Sequence, residues 1–227
     1  MKTIYLLRHG EIQTCHPRRF VGRRELPLTP SGRQQMADLA ELLARRSIDK
    51  LISSPLGRCR ESATILAEQL EVEYEVRHQL TEINLGAWEG MTVAEVEERY
   101  PGQHAARGRD IVTFRPDNGE SFQDLLDRSW PVFDELCATA GEGLAVIAHA
   151  GVNRVLLCRI LGIPLANLFH IDQSYGCVNI LHRGSKGLTV HCLNCRPDLG
   201  RDVRQLAANA CRDLKSCPSA SDETATR

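Results

Sequence analysis

Two histidines follow apolar stretches of the sequence in the same way. His9 comes after residues 4–7 and Arg8, and His149 comes directly after residues 144–148. A glycine lies one or two positions beyond each histidine, where it lets the backbone turn and a ligand approach. An imidazole can serve as a nucleophile or as a general acid or base. A lone histidine is usually structural, whereas two at equivalent positions indicate a reactive site.

Arginines near these histidines indicate the kind of ligand. Arg8 precedes His9, and Arg58 lies in the first turn of a helix predicted to open at Ser54-Pro55. A guanidinium group matches phosphate oxygens in paired hydrogen bonds, and a helix N-terminus adds free N–H groups and a positive dipole. A single arginine is more often an exposed, solvated charge. Two arginines together with two histidines and a helix start predict a site for a dianionic phosphate.

Glu82 supplies a carboxyl group to the same set of residues. It follows the third predicted strand, and a glutamate in a loop would by itself be expected to face solvent. A phosphatase that forms a covalent phospho-enzyme needs a proton donor for the departing alcohol and then a base for the attacking water. Glu82 is the candidate for both tasks.

Short apolar strands alternate with helices along the chain. Strands are predicted at residues 4–7, 50–53, 72–76 and 144–148, with a hairpin formed by residues 177–182 and 188–193. Helices are predicted to begin at Thr29-Pro30, Ser54-Pro55, Thr92, Ser121 and Val152. This alternation is typical of an α/β fold with three α/β/α layers and a mainly parallel central sheet. Ligands of such folds bind at the carboxyl ends of the strands, where both histidines fall.

The chain is predicted to form a single domain over residues 1–197. Residues 198–227 are polar and are predicted to be a mobile C-terminal tail. Within the domain, residues 84–120 are rich in glycine, arginine and proline and are predicted to be a lid-like insertion. Its one clear helix begins at Thr92, which forms a T-x-x-E capping box with Glu95.

Two further groups of arginines leave alternatives open. The first accompanies Trp88 in the lid-like insertion and consists of Arg107, Arg109 and Arg115. This group either contacts a nucleoside-like body or a second anion, or it belongs to a surface loop that Trp88 packs. The second flanks residues 8–10 and consists of Arg18, Arg19, Arg23 and Arg24. These side chains either steer anionic ligands or, as we expect for most of them, are solvated.

The composition excludes several classes of function. Of the 227 residues, 42% are hydrophobic, which is enough for a full core and too many for a disordered chain. The formal net charge of −1 predicts neither a nucleic-acid partner nor a membrane partner. The first apolar run is too short for a signal peptide, and no later stretch has the length to cross a bilayer. We therefore expect a cytoplasmic protein.

The cysteines predict neither a disulfide framework nor a metal site. They are nine in number and scattered, so reduced thiols are the best match. Cys192 and Cys195 have the spacing C-x-x-C, but the downstream pair, Cys211 and Cys217, is spaced more widely than usual zinc ligands. We predict no metal and no cofactor.

Taken in order, the motifs resemble those of the histidine phosphatase superfamily, also called the phosphoglycerate mutase-like fold. The family's R-H-G signature is similar to residues 8–10, and the likeness continues through residues 20–22, 27–35, 53–58, 82–90, 118–121 and 149–152. The resemblance implies that His9 is the nucleophile and Glu82 the proton donor. It also implies a metal-independent phosphatase whose phosphate pocket consists of Arg8, Arg58 and His149. During the reaction we expect His149 to be protonated as it holds the phosphoryl oxygens.

The substrate is less well indicated than the chemistry. Ile12 and Cys15 replace polar residues that the family usually has near the phosphate, and Ala150 shifts a usual glycine. Residues 169–177 are similar to those of bacterial α-ribazole-5′-phosphate phosphatases, which implies a role in cobalamin biosynthesis. The expected partner is a small phosphorylated metabolite, and the resemblance also allows a homodimer.

Other interpretations of the same residues remain. A broad-specificity phosphatase or a phosphoglycerate mutase of the same fold would use the same side chains. A metallohydrolase would hold a divalent ion with His9, His149 and Glu82, although the fixed cations Arg8 and Arg58 would repel that ion. A catalytically inactive module that only holds phosphorylated ligands is the remaining alternative.

Overall fold

The computed structural model of the protein describes residues 2–185 and 187–196. Its strands are β1 (Lys2–Arg8), β2 (Lys50–Ser53), β3 (Tyr74–Val76), β4 (Gly143–Ala148), β5 (Val178–Gly184) and β6 (Gly187–Cys195). Its helices are α1 (Pro30–Leu43), α2 (Gly57–Leu70), α3 (Val93–Arg99), α4 (Gln103–Arg109), α5 (Phe122–Thr139) and α6 (Ala150–Leu161). Within these described ranges, no helix combines the length and the apolar character that a membrane span requires. The tail predicted over residues 198–227 lies outside the described residues.

The strands form one six-stranded sheet in the order β3-β2-β4-β1-β5-β6. β4 lies between β1 and β2 and runs parallel to both, and β2 is also parallel to β3. β5 is antiparallel to β1 and forms the predicted hairpin with β6. The predicted α/β fold with a mainly parallel sheet is confirmed. Because β1, β2 and β4 are parallel, their carboxyl ends lie together at one edge of the sheet.

Alternate residues of the central strands face opposite sides of the sheet. In β1, Ile4 and Leu6 belong to the core cluster that includes residues of α5 and α6. Tyr5 and Leu7 belong to the second cluster, which includes residues of α1 and α2. Every residue of β4 is buried, as expected for a strand covered on both faces. Helices on both faces of the sheet give the predicted three layers.

Two predicted helix caps are present. Pro30 is the first residue of α1, and the side chain of Thr29 accepts a hydrogen bond from the Gly32 N–H. Thr92 and Glu95 form the capping box of α3 in both directions. These short-range contacts place the helix starts where the sequence predicts them.

The prediction that α2 begins at Ser54-Pro55 is wrong. The helix begins at Gly57, and its N-cap, Leu56, makes no side-chain capping bond. The N–H of Gly57 donates to the carboxylate of Glu25 at 2.9 Å. This N–H is therefore not the phosphate donor that we predicted at the start of α2.

Residues 84–120 contain two helices rather than the single predicted one. The sequence does not reveal α4 because none of its residues is buried, so it has no apolar face. Trp88 is fully buried, and its ring packs 5.3 Å from that of Phe20 and 5.5 Å from that of Phe114. Of the two alternatives for Trp88, the structure therefore supports the one in which it packs this surface segment.

A disulfide joins Cys192 and Cys195, whose Cα atoms are 6.6 Å apart. The expectation of reduced thiols is wrong for this pair. Side chains three positions apart in a regular strand point to opposite faces, but Asn194 has a φ of 52° and bends the strand between them. The other cysteines of the described residues carry free thiols.

Candidate active site

His9 lies just beyond β1, where its N–H donates to the carbonyl of Ala148 at the end of β4. The residue is 3% exposed, and its Nδ1 lies 2.7 Å from the carbonyl oxygen of Gly10. Because a carbonyl oxygen can only accept, Nδ1 carries the proton of the neutral ring and Nε2 keeps its lone pair. A Cβ at Gly10 would lie 2.3 Å from the carbonyl oxygen of Gly32, so only glycine allows this turn. The backbone thus selects a ring with an unprotonated, nucleophilic Nε2.

His149 lies between β4 and α6, and its ring centroid is 5.2 Å from that of His9. The residue is fully buried. Its Nε2 is 2.7 Å from the hydroxyl of Ser54 and 3.4 Å from the thiol sulfur of Cys59. Ser54 directly follows β2, so the adjacent ends of β1, β2 and β4 bring these side chains together.

Arg58 extends from the first turn of α2 and is 2% exposed. It donates to the carbonyls of Arg24 at 2.8 Å and Gly22 at 2.9 Å, which fix the plane of its guanidinium group. The Nε atoms of Arg58 and Arg8 are buried and have no hydrogen-bond partner among the described residues. Buried donors of this kind are normally satisfied, and an anion between the two arginines would satisfy both.

Arg8 is held between a carbonyl and an aromatic ring. It donates to the Gln173 carbonyl at 2.5 Å, and its Cζ lies 3.7 Å from the ring centroid of Tyr175. The ring of Tyr175 is also 5.6 Å from that of His9. Stacking on an aromatic face and a fixed carbonyl acceptor together orient a guanidinium group. Tyr175 therefore lies against both predicted functional residues of the β1 turn.

Glu82 reaches the site at the start of α6. One carboxylate oxygen accepts a hydrogen bond from the Gly151 N–H at 3.1 Å, and the other accepts from the Ile83 N–H at 2.9 Å. A Cβ at Gly151 would lie 2.3 Å from the Glu82 carboxylate, so glycine allows this approach. The helix N-terminus at this site is therefore that of α6 and bonds a carboxylate next to His149.

Burial, together with the charges of nearby arginines, keeps both imidazoles neutral. Burial lowers the pKa of His9 well below its usual value, and the charges of Arg58 and Arg8 lower it further. Burial and Arg58 likewise lower the pKa of His149 well below its usual value. His149 is therefore neutral in the protein by itself, and its protonated form is expected only with a phosphoryl group bound. A dianion would oppose these effects, since opposite charge favours a protonated imidazole.

The structure brings the predicted residues together at one edge of the sheet. The rings of His9 and His149 lie 5.2 Å apart, and the charges of Arg8 and Arg58 act on both of them. The Glu82 carboxylate bonds the N–H of Gly151, two residues beyond His149. Across the described residues, no group of three or more histidines, cysteines, aspartates or glutamates is arranged to hold a metal ion. The set required by the metallohydrolase interpretation is therefore not assembled as a coordination site. The arrangement instead offers guanidinium donors, a nucleophilic nitrogen and a carboxyl group.

Some residues of the site were not predicted from the sequence. The sequence predicts a helix cap at Ser54, whereas the structure has it bonded to His149, and no sequence pattern indicates Tyr175. Arg23 belongs to the group of which most are expected to be solvated, yet it forms an ion pair with Glu120 at 2.9 Å. These side chains contact groups remote in sequence, so no local spacing indicates them.

Of the arginines left open, several have acidic partners. Arg19 forms an ion pair with Glu95 at 2.7 Å, and Arg115 forms one with Asp124 at 2.6 Å. Arg107 lies over the rings of Trp88 and Phe122, with Cζ 6.0 and 5.5 Å from their centroids. Surface-segment packing accounts for these contacts.

A cavity of about 600 Å³ opens beside Arg8 and Tyr175. Its lining is mainly polar and charged and includes Gln34, Asp38 and Arg18. Its volume is within the range of small-molecule sites. The cavity shares Arg8 with the site, whereas His9, Glu82, Arg58 and His149 do not line it.

An α/β sheet that carries arginines, histidines and a carboxyl group at its carboxyl edge is suited to bind and transfer a phosphoryl group. The chain belongs to the histidine phosphatase superfamily (branch 1), whose sequence pattern matches residues 4–196. The chain is accordingly a phosphatase, and metal independence agrees with this family.

Two named phosphatases and one solved phosphatase structure are similar to this chain. A glucosyl-3-phosphoglycerate phosphatase of Mycolicibacterium vanbaalenii is 32% identical over 175 residues, which are 74% of this chain and 77% of that protein. The adenosylcobalamin/alpha-ribazole phosphatase of Salmonella typhimurium is 29% identical over 194 residues, which are 85% of this chain and 96% of that protein. The crystal structure of the alpha-ribazole phosphatase from Shigella flexneri superposes with a TM-score of 0.78 at 26% identity, covering 86% of this chain and 96% of that one.

Proposed function

We propose that the protein hydrolyses phosphomonoesters through a phosphohistidine on His9. The observation that carries this proposal is the hydrogen bond between Nδ1 of His9 and the Gly10 carbonyl, because it leaves Nε2 unprotonated next to two arginines. A nucleophile must present a lone pair, and the lowered pKa of His9 keeps that pair available near pH 7.

In the first step, Nε2 of His9 attacks phosphorus and the bond from phosphorus to the ester oxygen breaks. Glu82 gives its proton to the departing oxygen, so the alcohol leaves neutral. Arg8 and Arg58 donate to the phosphoryl oxygens as charge spreads over them, and His149 contacts the same group. In the second step, the Glu82 carboxylate takes a proton from water, whose oxygen attacks phosphorus and breaks the phosphorus–nitrogen bond.

Trapping the intermediate tests this proposal. Rapid quenching with a labelled phosphomonoester is expected to leave acid-labile, alkali-stable phosphate on the wild-type protein and none on His9→Ala. His170→Ala, which alters an exposed histidine, serves as the matched control and is expected to behave as wild type. Wild-type protein without trapped label, or turnover by His9→Ala, would remove the nucleophile assignment.

Two further measurements separate the alternative chemistries. Free phosphate measured against isomerised product distinguishes hydrolysis from a mutase reaction, and we expect free phosphate. Dialysis against a strong chelator is expected to leave kcat unchanged, because the cationic side chains perform the work of a metal ion. Loss of activity that Zn²⁺ or Mg²⁺ restores would favour the metallohydrolase.

For the substrate we propose α-ribazole 5′-phosphate. Support comes from the alpha-ribazole phosphatases of Salmonella typhimurium and Shigella flexneri, since this chain covers 96% of each. Residues 169–177, which resemble those of α-ribazole-5′-phosphate phosphatases, include Gln173 and Tyr175. Both contact Arg8, so the segment lies at the phosphate pocket.

A second candidate substrate is of the glucosyl-3-phosphoglycerate kind. Support comes from the relative from Mycolicibacterium vanbaalenii, which is named for that activity and is 32% identical over 74% of this chain.

Comparison of kcat/KM between the two esters decides between these candidates. We expect the higher value for α-ribazole 5′-phosphate. A higher value for glucosyl-3-phosphoglycerate would transfer the assignment to the second candidate. If kcat/KM is equal for the two esters and for p-nitrophenyl phosphate, the protein is a broad-specificity phosphatase.

A further inference from the structure

The backbone of Glu82 is held by two guanidinium groups from distant parts of the chain. Arg23 donates from Nε to the Glu82 carbonyl at 3.1 Å, and Arg128 of α5 donates from NH2 to the same oxygen at 3.0 Å. Arg128 also donates to the carbonyl of Gln79 at 2.6 Å. The loop before α1 and the helix α5 therefore meet at the peptide of the proposed proton donor.

The carboxylate of Glu120 joins these two guanidinium groups. Its Oε1 accepts from NH2 of Arg23 and from Nε of Arg128, each at 2.9 Å. Its Oε2 accepts from NH2 of Arg128 and from the Asn84 N–H, each at 3.0 Å. The Glu120 N–H in turn donates to the Asn84 carbonyl at 2.8 Å. One carboxylate thus fixes both cations and also the chain two residues beyond Glu82.

These ion pairs are less exposed than ordinary surface pairs. The side chains of Glu120 and Arg128 are 20% and 21% exposed. Although burial opposes it, the hydrogen bonds from Arg128 and the Asn84 N–H lower the pKa of Glu120, so its carboxylate stays ionised near pH 7. Bidentate ion pairs that are partly shielded from solvent fix the relative positions of their side chains better than single, exposed ion pairs do.

Among the residues that the structure describes, the hydrogen bonds to the Glu82 carboxyl group come from the backbone N–H groups of Ile83 and Gly151. Its position relative to His9 therefore depends on where its own peptide lies. A shift of the peptide moves the carboxyl group directly, and small displacements of a catalytic group have large kinetic effects. The contacts at the Glu82 carbonyl are suited to prevent that shift.

We infer that Arg23, Glu120 and Arg128 form a positioning clamp that places Glu82 for proton transfer. This inference rests on the proposed function of Glu82. None of the clamp residues is assigned contact with the substrate, so they act through Glu82. The clamp matters for esters whose alcohol must be protonated as it leaves and matters little for p-nitrophenyl phosphate, whose leaving group needs no proton.

The test compares kcat/KM for an alkyl phosphate and for p-nitrophenyl phosphate in Arg128→Lys and Glu120→Gln. Because kcat/KM covers the steps up to phospho-enzyme formation, it reports the donor role. For each variant we expect the alkyl ester to lose roughly 10-fold to 10²-fold while the aryl ester changes little. Arg115→Lys alters a neighbouring ion pair that does not touch Glu82, and it is the control expected to affect neither ester.

The variants are also combined with Glu82→Gln. If the clamp acts through Glu82, Arg128→Lys adds no further selectivity in that background. An equal loss for both esters in both clamp variants would mean a merely structural role and would overturn the inference. Glu82→Gln without leaving-group dependence would instead remove the proposed donor role, so the two failures are distinguishable.

Discussion

At the scale of single residues, the site combines satisfied and unsatisfied polar atoms. Nδ1 of His9 is engaged by the Gly10 carbonyl, and Nε2 of His149 is engaged by the Ser54 hydroxyl. Arg58 uses two of its nitrogens on backbone carbonyls. The Nε atoms of Arg8 and Arg58 stay without a partner among the described residues. Contacts within the protein therefore orient these side chains, and the Nε donors of Arg8 and Arg58 remain available to a ligand.

Replacing Ser54 tests the orientation of His149. Ser54→Ala removes the hydroxyl 2.7 Å from Nε2 and leaves a buried nitrogen without that partner, so we expect kcat/KM to fall by roughly tenfold. Ser129→Ala is the matched control, because this buried serine bonds only within its own helix, to Leu125 at 2.7 Å. Unchanged kcat/KM in Ser54→Ala would show that the hydroxyl does not orient His149.

The lowered pKa values of His9 and His149 also predict how stability depends on pH. Below about pH 6.5 the unfolded chain takes up protons on these histidines, whereas the folded protein does not. Stability is therefore full above that pH and falls as pH decreases, by up to about 1.4 kcal/mol per pH unit for each histidine.

Urea unfolding between pH 7.0 and 5.5 measures this slope. His149→Gln removes one of the two titrating groups, so its free energy of unfolding is expected to vary less with pH than that of wild type. His170→Gln changes an exposed histidine and keeps the wild-type slope. A His149→Gln slope equal to that of wild type contradicts the lowered pKa.

Residue chemistry explains which site members the sequence reveals. His9, His149 and Arg8 follow apolar strands, so alternation of strands and helices is enough to place them at one edge. Ser54 and Arg23 make their contacts with residues far along the chain, and such pairing is set only by the packed structure. A polar residue before a proline is also a normal helix cap, which is why Ser54 was misassigned.

At the scale of elements, the loop before α1 is hydrogen-bonded to the residues after β3. The Phe20 N–H donates to the Met91 carbonyl at 2.8 Å, and the Phe20 carbonyl accepts from the Gly90 N–H at 2.7 Å. The Glu89 carboxylate accepts from the N–H of Arg23 at 2.8 Å. The same loop provides the Gly22 carbonyl that orients Arg58. Displacement of the loop therefore changes the phosphate pocket.

Gly22→Ala tests this dependence. Gly22 has a φ of +52°, and a Cβ there would lie 2.2 Å from the carboxylate of Glu89. That oxygen accepts from the N–H groups of Arg23 and Leu85, so we expect relief of the clash to displace the loop that orients Arg58. We expect KM to rise about tenfold, the usual cost of losing a hydrogen bond to a charged group. Orthophosphate inhibition is expected to weaken by the same factor.

Gly102→Ala is the control for backbone strain. Gly102 has a φ of +78°, but nothing lies within 4 Å of a Cβ placed there. Its alanine variant is expected to lose about 1 kcal/mol of stability while keeping the wild-type KM. If both variants raise KM equally, backbone strain rather than loop displacement is responsible.

Elements with buried faces were predicted well, and elements without them were not. The strands of the parallel sheet and helix α1 carry apolar residues at regular spacing, which decides their type. Helix α4 has no buried residue, and the start of α2 is fixed by a carboxylate far along the chain, Glu25. Neither the exposed helix α4 nor the start of α2 produces a periodic pattern of apolar residues in the sequence.

At the scale of the whole molecule, one site links both faces of the sheet. Arg58 comes from α2 on one face, and Glu82 is held by α5 and α6 from the other. A ligand that bonds groups from both faces is expected to stabilise the entire fold, because it binds only when they are assembled.

Orthophosphate is therefore expected to raise Tm. At 100 times its Kd, a ligand specific for the folded state contributes about 2.7 kcal/mol, which corresponds to roughly 5–10 °C for a protein of this size. Arg58→Lys loses the planar donor group and is expected to lose most of this shift. Arg60→Lys changes an exposed arginine of the same helix and keeps it. A full shift in Arg58→Lys would mean that phosphate binds elsewhere. An ammonium group cannot reproduce the hydrogen-bond geometry of the buried guanidinium group and its unpartnered Nε, so phosphate binding at this site would have to weaken.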